Sequence, residues 1–216
     1  MQRRLFALTA LASLIGLSAC QKQADTTASS TTSSPASAGA PAPTPAGAGG
    51  TESPAATAIS TAQDAYVLAA TGNGFSTGPI MSAHTVYVFF DTTCPHCAHL
   101  WQAAKTVTGQ LKVVWIPVAF LRPQSLPQGA TILGAADPIA AMDENEASVA
   151  HRGNGITAST SLDDAVIAKV KANTSMFKQL NSDSVPLIVY RNGKTGQVGQ
   201  HAGAVTAAEL LAFAGL

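Results

Sequence analysis

The sequence predicts an α/β domain with a mixed central sheet and a helical insertion, on three observations. Two near-continuous apolar runs, HTVYVFFD (His84–Asp91) and LKVVWIPVAF (Leu111–Phe120), have the length and the β-branched and aromatic content of strands buried on both faces. Helical spacing follows the first run and dominates from Pro127 to Lys178. The segment VPLIVYRNGKTGQVGQ reads as two short strands joined at Asn192-Gly193, a strong hairpin signal. The order is strand, helix, strand, helical insert, hairpin, helix, which layers helices on a sheet.

Residues 1–19 stand apart from this domain. Arg3 and Arg4 precede an apolar stretch, Leu5 to Leu17, and small residues then lead to a cysteine in LSAC. That is the layout of a secretory signal peptide, and its apolar core is short of the roughly 20 residues of a spanning helix. LSAC resembles the lipobox of bacterial lipoproteins, which implies cleavage before Cys20 and a lipid on its sulfur. The plainer alternative is an ordinary signal peptide with an incidental Cys20. Residues 20–58 are Ala, Ser, Thr, Gly and Pro with almost no large apolar side chains, a composition that predicts a disordered tether. As a flexible coil it would span roughly 35 Å. Residues 59–216 have the length of one domain. The chain carries 12 basic and 12 acidic residues. Two of the basic ones lie in the leader, so the remainder is slightly acidic, without basic runs, which argues against nucleic acid as a partner.

Within the domain, Ser60 is placed to cap a short helix through Ala70, stopped at Gly72. GNGFSTG (72–78) superficially suggests a dinucleotide fingerprint, but Thr77 stands where a glycine is required, so a flexible turn is expected. After HTVYVFFD, the residues Trp101, Ala104 and Val107 recur at helical spacing and Gly109 can end that helix. Pro95 suits its first turn, where a missing N–H costs nothing. The helical insert is interrupted near 134–138 and 151–160, with an acidic capped start at Ser161–Asp164. A terminal helix begins at Thr206.

The chemistry lies in TTCPHCAHLW, Thr92 to Trp101. Haem attachment needs CxxCH, and Ala98 occupies that position. Zinc usually takes four ligands, and only one CxxC pair is present; a copper ion on Cys94 and Cys97 stays open as an alternative. A reactive dithiol fits the spacing. The thiolate is the reactive form, and unpaired N–H groups at a helix N-terminus favour an anion there. Cys94 sits at that end as the nucleophile, and Cys97, one turn on, is placed to resolve a mixed disulfide. Pro95 fixes the turn and His96 adds a donor or charge that tunes the pair. Three cysteines leave one over, which a lipidated Cys20 accounts for. His99 reads as a packing or tuning residue, while His84, His151 and His201 carry no pattern. Asp91 is either a buried acid assisting proton transfer or a strand-end turn former. Asn173-Thr174-Ser175 fits a glycosylation acceptor but carries no weight in a bacterial lipoprotein.

VYVFFDTTCPHCAHLW resembles the active-site strand and helix of the thioredoxin superfamily. The CPHC quartet is that of its DsbA-type oxidases, whereas the flanks, with IPVAFLRPQSLPQGATIL, look more like the DsbG and DsbC type. The resemblance covers about Ala65 to Leu216. It implies a thioredoxin-like fold, thiol–disulfide exchange on exported cysteine-containing proteins, a membrane redox partner and a periplasmic location, with no cofactor. It also implies a cis-proline loop facing the dithiol, which puts substrate contact on Val185 and Pro186 of DSVPLIVYRNG. DsbC and DsbG carry an N-terminal dimerisation domain; the tether stands in its place, so a monomer is expected.

Overall fold

The computed structural model describes residues 59–216. The expected signal peptide, the tether and the lipid-bearing Cys20 lie outside the described residues. Five strands form one mixed sheet in the order β1-β3-β2-β4-β5. They are β1 (Phe75–Thr77), β2 (Thr85–Phe90), β3 (Lys112–Pro117), β4 (Leu187–Arg191) and β5 (Val198–Ala202). Central β2 runs parallel to β3 and antiparallel to β4, with Val88 opposite both Trp115 and Ile188. Six helices complete the domain: α1 (Ala62–Ala69), α2 (Pro95–Lys105), α3 (Ser125–Gly134), α4 (Pro138–Ala150), α5 (Asp164–Gln179) and α6 (Ala207–Ala214).

Alternation along β2 explains the layers. Phe89 and Phe90 point to opposite faces of the sheet, as successive strand residues must. Phe89 packs on Phe177 of α5, with ring centroids 6.1 Å apart. Phe90 packs on Trp115, whose ring lies 4.9 Å from that of Trp101 on α2. All five side chains are almost wholly buried. Burial of a side chain of this size contributes roughly 1.5–3 kcal/mol, so both faces of β2 are anchored by aromatic cores. Trp101 adds a polar tie: its indole N–H donates to the Asp143 carboxylate at 2.7 Å, fastening α4 over α2.

Three local expectations are corrected. The first helix is capped by Thr61, not Ser60; Thr61 and Asp64 form a reciprocal capping box. The 72–78 segment is not merely a turn, because it contains edge strand β1, paired antiparallel with β3. Its glycines make the pairing possible: a Cβ on Gly74 would lie 2.3 Å from the Trp115 carbonyl oxygen, and one on Gly78 2.1 Å from that of Leu111. Asn192-Gly193 is not a two-residue hairpin turn. The loop runs through residue 197 and closes by the Asn192 N–H donating to the Gln197 carbonyl at 2.8 Å. Asn192 Oδ1 accepts from the N–H groups of Lys194 and Thr195, while the Gly193 N–H is spent on Ala214 of α6. The two breaks in the helical insert fall where composition places them, between α3 and α4 and between α4 and α5.

Candidate active site

The carboxyl end of β2 opens directly into the dithiol. Asp91, fully buried, shapes this junction. Its Oδ1 accepts from the Thr93 N–H, the Thr93 hydroxyl and the Ser125 hydroxyl, at 2.9, 2.7 and 2.7 Å. Its Oδ2 accepts from the N–H groups of Phe120 and Leu121, both at 2.9 Å. Of the two roles open to Asp91 from sequence, the geometry shows the turn former. One carboxylate gathers the active-site turn, the segment after β3 and the start of α3.

Cys94 is the N-cap of α2, in extended conformation at φ −92° and ψ 116°, and Pro95 occupies the first turn. The Cys94 carbonyl accepts from the N–H of Cys97 at 3.1 Å and of Ala98 at 3.3 Å. Its sulfur stands where a capping oxygen normally sits. The Cys94 thiol is brought down to about 6 chiefly by a hydrogen bond from the Cys97 thiol, with burial opposing. The backbone N–H groups of Cys97 and His96 and the charge of His96 lower it further. Cys97, with no solvent exposure, titrates well above the ordinary cysteine value, first because it is buried and next because of its coupling to Cys94. The two thiols are unequal: Cys94 at the helix mouth is 3% exposed and titrates low, while Cys97 beneath it has no exposure and titrates high.

Across from Cys94 lies the Val185–Pro186 bond, which is cis. The Cys94 Sγ is 3.4 Å from the Val185 carbonyl oxygen. Val185 and Pro186 are thus brought to the dithiol. His96 and His99, both exposed, flank the helix start with ring centroids 6.2 Å apart. His84 instead bonds the Ala214 carbonyl at 2.9 Å, and His151 the Ala147 carbonyl at 2.8 Å, both far in role from the sulfurs. Asn173 is fully buried and donates to the carbonyls of Asn73 and Pro117, a structural tie that leaves no amide for a sugar. Among the described residues, no group of three or more His, Cys, Asp or Glu is placed to hold a metal ion.

Glu146 is the site residue that sequence reasoning did not single out. It is carried by α4, wholly buried, and its Oε1 accepts from the Asn145 amide at 3.0 Å. Its Oε2 has no hydrogen-bond partner among the described residues. Burial pushes the Glu146 carboxyl up to about 8, and the nearby Cys94 and Asp91 charges add to the rise. Its charge in turn raises Cys97. Asn145 also donates to the Thr92 carbonyl at 2.9 Å and accepts from the Ile156 N–H, so α4 is pinned to the active-site turn. The available signal was a helix whose acidic face includes a position four residues past Met142, one that packing turns inward.

No family model matches the chain. It is 26% identical over 121 residues to the thiol:disulfide interchange protein DsbG of Pseudomonas aeruginosa, covering 55% of this chain and 46% of that protein. With DsbG of Escherichia coli it shares 28% identity over 107 residues, covering 49% and 42%. Among solved structures, a periplasmic thioredoxin-like protein from Salmonella enterica serovar Typhimurium superposes with a TM-score of 0.51 at 16% identity, covering 71% of this chain and 93% of that one. Fold and dithiol together are those of a thioredoxin-like domain with a CxxC pair at the start of a helix. The sequence is similar to the DsbG-type thiol:disulfide interchange proteins, and the chain spans about half the length of the curated relatives it matches.

Proposed function

We propose that this domain carries out thiol–disulfide exchange on cysteine-containing exported proteins. The observation that carries this is the inequality of the two sulfurs, Cys94 lowered to about 6 at the N-terminus of α2 and Cys97 raised beneath it. In the reducing direction the Cys94 thiolate attacks a substrate disulfide, forming a mixed disulfide and releasing one substrate thiolate. Cys97 then gives up its proton and attacks the Cys94 sulfur. The internal disulfide forms and the second substrate thiolate leaves, protonated by solvent. The oxidising direction is the reverse. Glu146, ionised above about 8 and close enough in charge to raise Cys97, is suited to hold that proton. A stabilised Cys94 thiolate favours the reduced pair and makes the disulfide more oxidising. Pro95 and His96 set that balance, and Val185 and Pro186 offer the backbone that a bound substrate strand would meet.

The further setting belongs to the same proposal: a lipid on Cys20, residues 20–58 as a tether, a periplasmic monomer held at a membrane, and a membrane redox partner. The lipobox resemblance, the tether composition and the likeness to DsbG support it. Among the described residues two thiols converge and Cys97 is sealed, with no third His, Cys, Asp or Glu placed to join them on a copper ion. The test is trapping. Cys97→Ala is expected to accumulate mixed disulfides with exported proteins and Cys94→Ala none. If neither traps a partner while the reduced protein takes up one equivalent of Cu(I), exchange is wrong. The redox state of the pair in the cell, by thiol-labelling gel shift, gives the direction.

A further inference from the structure

We infer that the cavity beside the dithiol is an anion subsite, which selects an extended substrate segment carrying a carboxylate next to its reacting cysteine. The inference rests on the exchange function proposed above. A cavity of about 510 Å³ is lined by Thr93 and Pro95, the two chain neighbours of Cys94, and by His99 on the same helix. Its other walls bring Arg122, from the segment after β3, and Arg152, from the end of α4, with Gln124 among them. The volume falls within the range of roughly 300–1,000 Å³ typical of ligand sites.

Charge gives the cavity its character. Among the described residues no acidic side chain lines it. The one ion pair among the described residues joins Lys105 to Asp143, so neither guanidinium is neutralised. Two unpaired arginines and the positive end of α2 therefore face one space, beside the sulfur that a substrate must reach. The end of α4 adds little opposing charge, because its Val149 and Ser148 carbonyls accept from the N–H groups of Arg152 and Gly153 at 2.9 and 2.8 Å. Guanidinium forks suit carboxylates, and a substrate cysteine joined to Cys94 would carry its neighbouring residues across this space.

Arg152 also occupies a backbone position that glycine would fill without strain. It follows the last turn of α4 at φ 62°, the left-handed site of a helix-ending motif, although Gly153 is the next residue. A long cationic side chain is thereby projected from a strained but fixed point, a cost of the kind that collects at functional positions.

The test compares exchange rates of the full-length protein with cysteine peptides that differ only in the flanking residue, Glu, Gln or Lys, each as the disulfide of the same neutral thiol. The Glu peptide is expected to react roughly three- to tenfold faster than the Gln peptide at low ionic strength, with the Lys peptide slower, and added salt should shrink the spread. Arg122→Gln and Arg152→Gly are each expected to reduce the Glu/Gln ratio, and together to bring it near one. Because both proteins meet the same peptides, intrinsic differences in peptide reactivity cancel. Arg152→Gly relieves the left-handed position, so a lost preference with a held or raised Tm separates recognition from misfolding. An unchanged ratio in the double variant overturns the inference while leaving exchange intact. If oxidised glutathione alone shows the arginine dependence, the ligand is a small acidic thiol and the protein-segment assignment is wrong. No exchange with any disulfide refutes the function on which the inference rests.

Discussion

The Cys94 thiol donates to the Val185 carbonyl oxygen at 3.4 Å across a separation of 91 residues, so the helix mouth and the loop before β4 meet at one sulfur. That bond exists only for the thiol. A thiolate at the same place loses it and keeps the N–H groups of His96 and Cys97, which the helix end presents. Protonation of Cys94 therefore makes or breaks the bond that ties the helix mouth to the loop before β4.

Alkylation of Cys94 should rise with pH through about 6, tracking the thiolate. His96→Ala is expected to move that midpoint upward and to slow alkylation at pH 6 by roughly two- to fivefold, since only a minor contribution is removed. A depressed pKa stabilises the folded reduced protein above the ordinary thiol value, and this contribution is lost as pH falls through about 6. The oxidised protein has no such thiol. The Tm of the reduced form should accordingly gain on the oxidised form between about pH 6 and 9.0.

Glu146→Gln should slow resolution of a Cys94 mixed disulfide by roughly tenfold or more at pH 8 and flatten its pH dependence, with little change in the initial attack. The folded carboxyl titrates near 8, well above its ordinary 4.5, so wild-type stability should decline as pH rises across that interval. The Gln variant should lack this decline. Single-turnover kinetics and unfolding at several pH values read the two effects separately, and a flat wild-type profile would count against a buried acid.

Asp91→Ala strips an acceptor from the N–H groups of Phe120 and Leu121 and from the buried Ser125 hydroxyl. With about 1–3 kcal/mol for each buried group left unsatisfied, a loss of about 3 kcal/mol or more is expected in denaturant unfolding. Asp91→Asn, which keeps one acceptor oxygen, should lose roughly half as much.

Gly78→Ala should cost about 2–3 kcal/mol, since φ is +88° and the new Cβ would meet the Leu111 carbonyl oxygen. Gly196→Ala is the control: φ is +72° but nothing lies within 4 Å. Its cost should be only about 1 kcal/mol. Equal losses would show that backbone conformation, not the β1–β3 approach, governs both sites.

The strands and helices around the dithiol were readable because their signals are local: an apolar run, a proline at a helix start, two cysteines three apart. The edge strand β1 was not, since three residues between glycines carry no periodic pattern, and the glycines were present for close approach rather than for a turn. The hairpin is legible but the position of its turn is not, because the Gly193 N–H is recruited by α6, a contact that no neighbouring residue announces. Glu146 escaped for the same reason. In sequence it is one of several acids on an ordinary helix, and only the docking of α4 through Trp101 and Asp143 buries it.

That docking separates two kinds of inheritance within one site. The cysteine pair belongs to the strand–helix unit at the centre of the sheet, whereas the buried acid arrives on a helix inserted between β3 and β4. Grafting α4 into a relative whose own insert lacks the acid would transplant the proton chemistry without touching the cysteines. The pH range over which such a protein works and its potential would then be set from two places, the insert and the four letters CPHC, coupled through the effect of the Glu146 charge on Cys97.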